Sequence, residues 1–155
     1  MKPKRFSDNR ELLCDLTLPK RDDPILAVCP KCSSKALVLP DIGKNVKCVC
    51  TKCSFNQIRS NKSLSFGWHI DRPHNGYFRL NLWLQTCCCG HSLYAFTVRH
   101  LNFLEDYIKA DLRERRQNEN GWRNASVGSR LPKWIKSHKN RKQLIKAIDK
   151  LKEKL

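Results

Sequence analysis

The sequence predicts an α+β protein in which a β-rich, cysteine-containing segment precedes a second β-hairpin packed on a helix, with basic helices at the C-terminal end. Three observations support this fold class. Paired cysteines flank short β-prone runs early in the chain. Apolar and polar residues alternate in its middle, and apolar residues recur at helical spacing in its last third.

Composition divides the chain into four segments. The first is an arm in which mixed charges and Pro3, Pro19 and Pro24 leave no room for a long helix. We expect the following organisation: 1–24 as N-terminal arm, 25–62 as cysteine-rich ribbon, 63–117 as β-hairpin plus helix, and 118–155 as basic linker and C-terminal helices.

Four cysteines occur as two pairs with C-x2-C spacing, Cys29 with Cys32 and Cys50 with Cys53. This spacing is typical of a tetrahedral structural zinc site, in which each tight turn presents two thiolates to the metal. Cys48 is an alternative to Cys50, but only Cys50 forms a two-residue turn with Cys53. The pattern therefore predicts Zn²⁺ held by these four cysteines in a closed site that performs no catalysis.

Two β-prone runs, at residues 36–39 and 46–49, lie between the cysteine pairs. A segment this short folds only when the metal supplies the missing core. With Cys29-Pro-Lys-Cys32 and the matching Cys50-Thr-Lys-Cys53, it resembles the transcription-factor-IIB-type zinc ribbon over residues 25–60. The resemblance implies bound zinc but no single function, because such ribbons occur in transcription factors, ribosomal proteins, nucleases and adaptors.

The middle of the chain predicts a hairpin. Residues 77–86 alternate, and the apolar face comprises Phe78, Leu80, Leu82 and Leu84. A second alternating run covers residues 93–98, and the loop between the two contains Gly90, for which positive φ is cheap.

A helix is predicted over residues 102–117. Asn102 is a suitable N-cap with Glu105 three residues later. Leu104, Ile108 and Leu112 then recur at helical spacing.

Two further helices are predicted near the C-terminal end. Pro132 is suited to open a short helix that carries Trp134 and Ile135. The last helix is amphipathic, and its apolar stripe comprises Leu144, Ile148, Leu151 and Leu155.

The chain carries 31 Lys+Arg and 14 Asp+Glu, so its formal net charge is +17. Residues 109–155 contribute 15 basic and 5 acidic groups, or +10, which predicts a polyanionic partner for this part of the chain. Trp122 and Trp134 lie among these charges and suit stacking on exposed bases. The candidate nucleic-acid contacts are Arg113, Arg115, Arg116, Arg123, Arg130, Lys133, Trp134, Lys136, Lys139, Arg141 and Lys142.

Two alternatives to DNA or RNA binding stay open. The basic block is also typical of a solvated helix face, with Trp134 packed inward. A zinc-ribbon adaptor or inhibitor, of the immunity or antitoxin kind, would instead dock an acidic partner protein through Trp83 and the ribbon edge.

A second cysteine group, Cys87-Cys88-Cys89-Gly90-His91, lies at the predicted hairpin turn. Cys87, Cys88, Cys89 and His91 are candidates for a second metal site or for redox chemistry. The alternative is that these are small thiols packed at a turn.

We expect no enzymatic activity. His69, Asp71 and His74 lie close together in sequence. The sequence nevertheless defines neither a metal site with an open coordination position nor a nucleophile paired with a general base. Clustered cysteines and the lack of a signal peptide or an apolar span predict a protein of the reducing cytoplasm without a membrane partner. No small-molecule substrate is evident.

Overall fold

A computed structural model of the chain describes residues 3–8, 16, 18–60, 77–115 and 131–155. Antiparallel sheets of four and two strands together with helices confirm the α+β class. The elements in chain order are β1 (Arg5–Asp8), β2 (Ile25–Val28), β3 (Lys35–Pro40), β4 (Asn45–Cys50), β5 (Asn56–Ser60), β6 (Leu84–Cys88), β7 (His91–Ala95), α1 (Val98–Lys109), β8 (Leu112–Arg115), α2 (Lys133–Lys136), a 3₁₀ turn (His138–Asn140) and α3 (Arg141–Lys152).

The cysteine-rich segment folds as an antiparallel sheet with the strand order β2-β3-β4-β5. The β-prone runs at 36–39 and 46–49 lie within β3 and β4, as predicted. Alternate residues of β4 are buried, which places Cys48 and Cys50 on the inner face with Val46. The turn between these strands contains Gly43 at a φ of 69°.

Strands β6 and β7 form the predicted hairpin, with Cys88 opposite His91. The two-residue turn is Cys89-Gly90, and both residues have positive φ, 55° and 77°. Positive φ at both central positions is the geometry that two-residue hairpin loops favour. The prediction of a loop around Gly90 is therefore confirmed.

The strand predicted over residues 77–86 is wrong in its first half. Arg79 adopts a left-handed φ of 54°, which interrupts an extended strand, and β6 begins only at Leu84. Leu82 instead forms an isolated antiparallel bridge with Ala27 of β2. The predicted alternation of burial holds in part: Phe78, Leu82 and Leu84 are buried and Arg79 is exposed, but Leu80 is only partly buried.

Helix α1 begins earlier and ends earlier than predicted. Its N-cap is Thr97 rather than Asn102, and the Thr97 hydroxyl accepts a hydrogen bond from the His100 N–H at 3.1 Å. The helix ends at Lys109, because Ala110 adopts an extended conformation with a ψ of 134°. Residues 112–115 then form β8, which pairs in parallel with β1. Arg113 and Arg115 therefore lie on a strand and not on a helix.

The C-terminal helices α2 and α3 occur where they were predicted, with Pro132 at the N-cap of α2. Three of the four residues of the predicted apolar stripe, Leu144, Ile148 and Leu151, are at most 1% exposed. The fourth is a correction: Leu155 lies beyond the end of α3 and is 47% exposed.

Two hydrophobic clusters hold the fold together. One joins the hairpin to α1, α2 and α3, and the other lies under the four-stranded sheet. Strand β2 contributes to both, since Leu26 belongs to the first cluster while Ile25 and Ala27 belong to the second. Backbone hydrogen bonds from Leu26 N–H to the Phe96 carbonyl and from Trp83 N–H to the Leu26 carbonyl fix β2 against the hairpin unit.

Helices α1 and α3 are joined by charge as well as by packing. The Glu105 carboxylate binds Lys109 on its own helix at 2.6 Å and Lys152 on α3. No helix in the described part of the chain is long and apolar enough to cross a membrane.

Candidate metal centre

The sulfur atoms of Cys29, Cys32, Cys50 and Cys53 lie within 4.8 Å of one another. Each cysteine of one pair approaches a cysteine of the other pair, with 3.5 Å between the sulfurs of Cys29 and Cys53 and 3.5 Å between those of Cys32 and Cys50. Four thiols that surround one point at these separations could hold a metal ion.

The two cysteine turns share one backbone arrangement. The Cys29 N–H donates to the Ser34 carbonyl at 2.8 Å, and the Cys50 N–H donates to the Phe55 carbonyl at 2.8 Å, five residues on in both cases. The residue after each second cysteine has a left-handed φ, 58° at Ser33 and 60° at Ser54. Such repetition shows that each pair is presented by a defined turn.

Backbone amides donate hydrogen bonds to the sulfurs of Cys29 and Cys50. The Lys31 N–H donates to Cys29 Sγ at 3.4 Å, and the Lys52 N–H donates to Cys50 Sγ at 3.3 Å. Hydrogen bonds from the N–H groups of Lys52 and Cys53 lower the pKa of Cys50. Hydrogen bonds from Ser34 lower the pKa of Cys32 to about 6. Metal ligands must be deprotonated, so the donors at Cys32 and Cys50 suit these two thiols to a cation. At Cys53 the Phe55 N–H acts in the same direction, but burial and hydrogen bonds with the neighbouring thiols outweigh it and raise the pKa.

Cys48 lies outside the four-sulfur cluster although it is only two residues from Cys50. Its side chain is fully buried beneath the sheet. Burial, together with the nearby Cys29 and Cys50, raises the pKa of Cys48 to about 11. Cys48 is therefore a protonated core thiol, which lies on the same face of β4 as Cys50 but two residues before it, within the strand.

The residues present fit a structural metal ion better than a catalytic one. All four ligand atoms are thiol sulfurs, and Cys29 and Cys50 are only 1% and 4% exposed. A catalytic zinc site keeps a position for water or substrate, whereas a site with four protein ligands is closed. Such an ion contributes folding free energy to the small sheet.

The second cysteine group is only partly brought together. Cys88 and Cys89 have their sulfurs 3.4 Å apart, and the Cys89 thiol donates to Gln143 Oε1 at 3.0 Å. Cys87 is exposed, and the His91 ring stacks on Trp134 with 4.8 Å between ring centroids. Among the described residues, the four-cysteine cluster is the only set of three or more His, Cys, Asp or Glu residues close enough to share an ion.

The basic residues proposed to contact nucleic acid fall into several groups. Lys133, Lys139 and Lys142 are exposed, and Lys136 is partly exposed. Arg141 is engaged within the fold, since its guanidinium lies 3.0 Å from Asp111. Arg113 and Arg115 lie on β8, while Arg116, Trp122, Arg123 and Arg130 lie outside the described residues, as do His69, Asp71 and His74.

Both candidate tryptophans of the described chain are engaged in packing. Trp134 is partly buried against the helical core, and one face of its indole is covered by His91. Trp83 Nε1 donates to the Lys154 carbonyl at 3.0 Å, and the Lys154 ammonium lies 6.0 Å from the Trp83 ring centroid. Neither indole is free to act as a fully exposed stacking platform or docking anchor.

Lys146 and Lys150 were not among the candidate residues named from the sequence. With Lys142 they recur every four residues on α3, and all three are exposed. Residues four apart lie on one helix face, so the three ammonium groups form a stripe. The four-residue spacing was the available signal.

Fold and site together define an α+β protein with a four-cysteine cluster that could bind a metal ion. Comparisons of the chain with protein-family models, with curated proteins and with solved structures found no match. Its function therefore has to be inferred from its own residues.

Proposed function

We propose that the chain is a non-enzymatic zinc-ribbon protein that binds DNA or RNA through a lysine stripe on α3. Zn²⁺ is the proposed ion, because structural zinc sites use four cysteines in two tight turns. The resemblance of residues 25–60 to the transcription-factor-IIB-type ribbon also supports zinc. Free thiols throughout the described chain suit a reducing compartment such as the cytoplasm.

The observation that carries the proposal is the lysine stripe, defined as Lys142, Lys146 and Lys150. None of the three ammonium groups forms an ion pair with a carboxylate among the side chains that the structure describes. Other cations of this region have internal partners: Arg141 binds Asp111, and Lys152 binds Glu105. The stripe is thus a part of the basic region that remains available to an external anion.

The spacing of the stripe disfavours an isolated helix and favours an anionic ligand. Like charges four residues apart cost roughly 0.2–0.5 kcal/mol per pair, and the stripe contains two such pairs. Each step along the stripe spans about 6 Å of helix axis. A phosphate chain alongside would replace this repulsion with attraction and would release its own counterions.

The surroundings of the stripe strengthen its positive field. Residues 131–155 contain nine basic and two acidic side chains, or +7. Lys133 and Lys139 are exposed just before α3 and extend the cationic surface beyond the helix. Contacts of this kind supply affinity without sequence information, so we expect weak discrimination between sequences.

The test is a salt series with zinc-loaded protein on single-stranded and duplex DNA and RNA, read by fluorescence anisotropy. The triple variant Lys142→Gln, Lys146→Gln, Lys150→Gln removes the stripe. The negative slope of log affinity against log salt should become shallower by about 2 to 3, at 0.7–0.9 per lost phosphate contact. The matched control is Lys20→Gln, Arg21→Gln and Lys44→Gln, which removes the same charge from exposed positions elsewhere.

The two triple variants separate a specific surface from bulk charge. Nucleic-acid binding by the stripe requires the first variant to lose affinity while the control retains it. Equal losses would assign binding to net charge alone, and unchanged binding in the stripe variant would refute the proposal.

One observation favours the adaptor function as a second candidate. Ile42, at the tip of the β3–β4 turn, is 83% exposed. It borders a cavity of about 400 Å³ that is also lined by Leu39, Arg21 and Lys47. An acidic partner with an apolar side chain fits this chemistry. A chain that binds no polyanion, and whose Ile42→Ser variant loses a protein partner, would support this alternative.

A further inference from the structure

The two cysteine turns each carry a lysine at the same place. Lys31 and Lys52 immediately precede the second cysteine of their turns, and each lysine N–H donates to the sulfur of the first cysteine, at 3.4 and 3.3 Å. Because the four sulfurs lie within 4.8 Å of one another, the amide nitrogens of Lys31 and Lys52 are at most about 12 Å apart. The lysine pair, defined as Lys31 and Lys52, therefore flanks the four-cysteine cluster.

Both ammonium groups of the lysine pair are available to an external anion. Lys31 and Lys52 are exposed. Among the side chains that the structure describes, neither of them forms an ion pair with a carboxylate. Their contacts with the sulfurs are made by backbone N–H groups, so a change of side chain leaves those contacts in place.

The sheet stays positive when the charge of the metal site is counted. Residues 25–60 contain six basic side chains and one acidic side chain, or +5. Zn²⁺ with four thiolates carries −2, so +3 remains. The acidic residue is Asp41 in the β3–β4 turn, at the end of the strands opposite to the cysteine turns. The end of the sheet that carries the lysine pair thus has no carboxylate of its own.

This end of the sheet also meets the end of α3. Thr51, the residue before Lys52, donates its hydroxyl to the Lys35 carbonyl at 3.0 Å, and Lys35 Nζ donates to the Leu155 carbonyl at 3.0 Å. Residues 150–155 carry three lysines and one glutamate, so the junction is positive as well. The lysine stripe runs along α3 toward this junction, and the cationic surface continues from the helix to the cysteine turns.

We propose that Lys31 and Lys52 bind the same nucleic-acid phosphate chain as the lysine stripe, a role that rests on the proposed function and extends it to a second surface. The stripe spans about 12 Å of helix axis, and the lysine pair lies beyond the end of that helix. A bound metal would fix the geometry of the two turns, while the lysines make the contacts. Each contact replaces counterions on the phosphate chain and adds to the salt dependence of binding.

The test uses zinc-loaded full-length protein and the tightest-binding of the single-stranded and duplex DNA and RNA probes, across a salt series. Lys31→Gln with Lys52→Gln should make the negative slope of log affinity against log salt shallower by about 1.4 to 1.8, at 0.7–0.9 per lost phosphate contact. Combined with the triple variant of the stripe, the change should reach about 3.5 to 4.5.

Two further variants separate the role of these positions from bulk charge and from damage to the metal site. Lys20→Gln with Lys44→Gln removes the same charge from exposed positions away from the cysteine turns and should bind like the parent protein. Lys31→Arg with Lys52→Arg keeps the charge and should retain the parent slope. Every variant should keep one zinc per chain, because ligands and backbone donors are unchanged.

The outcomes distinguish this inference from the proposed function. Loss of affinity in the stripe variant but not in the glutamine pair at Lys31 and Lys52 would overturn the inference and leave the proposed function standing. Loss in neither variant, or no binding by the parent protein, would overturn both. An equal loss in the control or in the arginine pair would also overturn the inference. Zinc lost by the glutamine pair would do the same, because the fall in affinity would then follow the ion.

Discussion

Replacing His100 with asparagine is expected to remove part of the acid sensitivity of the fold. The imidazole is fully buried in α1, its Nδ1 accepts the Phe96 N–H at 3.2 Å, and its ring stacks on Phe96. Burial lowers the pKa of His100 from 6.5 to about 3. Folding therefore requires the neutral imidazole over a pH range in which the unfolded chain would protonate it.

The sign and size of the effect follow from this difference. The stabilising contribution is complete above pH 6.5 and is lost progressively as pH falls toward the folded pKa, because the unfolded state binds the extra proton. Between pH 7.5 and pH 5 the loss is about 2 kcal/mol, at about 1.4 kcal/mol per pKa unit. Asparagine places an oxygen near the position of Nδ1, so it can still accept the Phe96 N–H.

Urea denaturation followed by tryptophan fluorescence measures the free energy of unfolding at both pH values. His100→Asn should be less stable than the parent at pH 7.5, because ring volume is lost, and that difference should shrink by about 2 kcal/mol at pH 5. His138→Asn is the matched control, since His138 is exposed and should show no such change.

Acid also protonates the four clustered cysteines. The resulting loss of stability is the same in the parent protein, His100→Asn and His138→Asn, so it cancels when they are compared. The reasoning is refuted if the stability difference between His100→Asn and the parent is the same at both pH values.

Three further outcomes are expected. Metal analysis should find one zinc per chain. The zinc should be lost in Cys50→Ser but kept in Cys48→Ser, because the Cys50 sulfur belongs to the four-cysteine cluster and the Cys48 sulfur does not. Thr97→Ala should lower the free energy of unfolding by about 1–2 kcal/mol through loss of the α1 cap, with Thr97→Ser close to the parent; equal losses in both would contradict the capping role. Leu151→Ala should cost about 2–5 kcal/mol because Leu151 is fully buried, whereas Leu155→Ala should change thermal stability little.

The cysteine-rich sheet was predictable because its signals are local. Alternation fixes which residues of β3 and β4 face inward, and Gly43 marks the turn between them. The two C-x2-C turns repeat one spacing, so the sequence alone indicates which four sulfurs converge. Cys48 could be set aside for the same reason, since the residue at C-x2-C spacing beyond it is Thr51 and not a cysteine.

The limits of α1 were mispredicted because distant contacts decide them. Asn102 with Glu105 imitates a capping box, whereas Thr97 is followed by Val98, which is typical of a strand. Thr97 is nonetheless the cap, and its hydroxyl also donates to the Leu16 carbonyl at 2.7 Å, 81 residues away. A partner so remote in sequence leaves no trace in local periodicity.

The end of α1 was overestimated for a related reason. Leu104, Ile108 and Leu112 continue at helical spacing, so periodicity extends the helix past its true end. Pairing of β8 with β1 joins segments more than 100 residues apart. The competing strand is therefore invisible until both segments are seen together.

The candidate sites divide in the same way. The four metal cysteines lie in two local motifs, but Gln143 reaches Cys89 across 54 residues and could not be assigned from sequence. From the sequence, Arg141 and Trp134 are candidates for contact with nucleic acid. In the fold, Arg141 forms an ion pair with Asp111, and the Trp134 ring stacks on His91.

Strand β2 links the metal cluster to the lysine stripe. Leu26 packs in the first hydrophobic cluster, and its neighbours Ile25 and Ala27 pack in the second. Strand β2 therefore cannot leave one cluster without exposing the other. The two halves should therefore unfold in one cooperative transition. An ion that binds only the folded chain at 1,000 times its dissociation constant adds about 4 kcal/mol to that whole transition. Metal supply would then set the fraction of chains that present an ordered cationic helix at all.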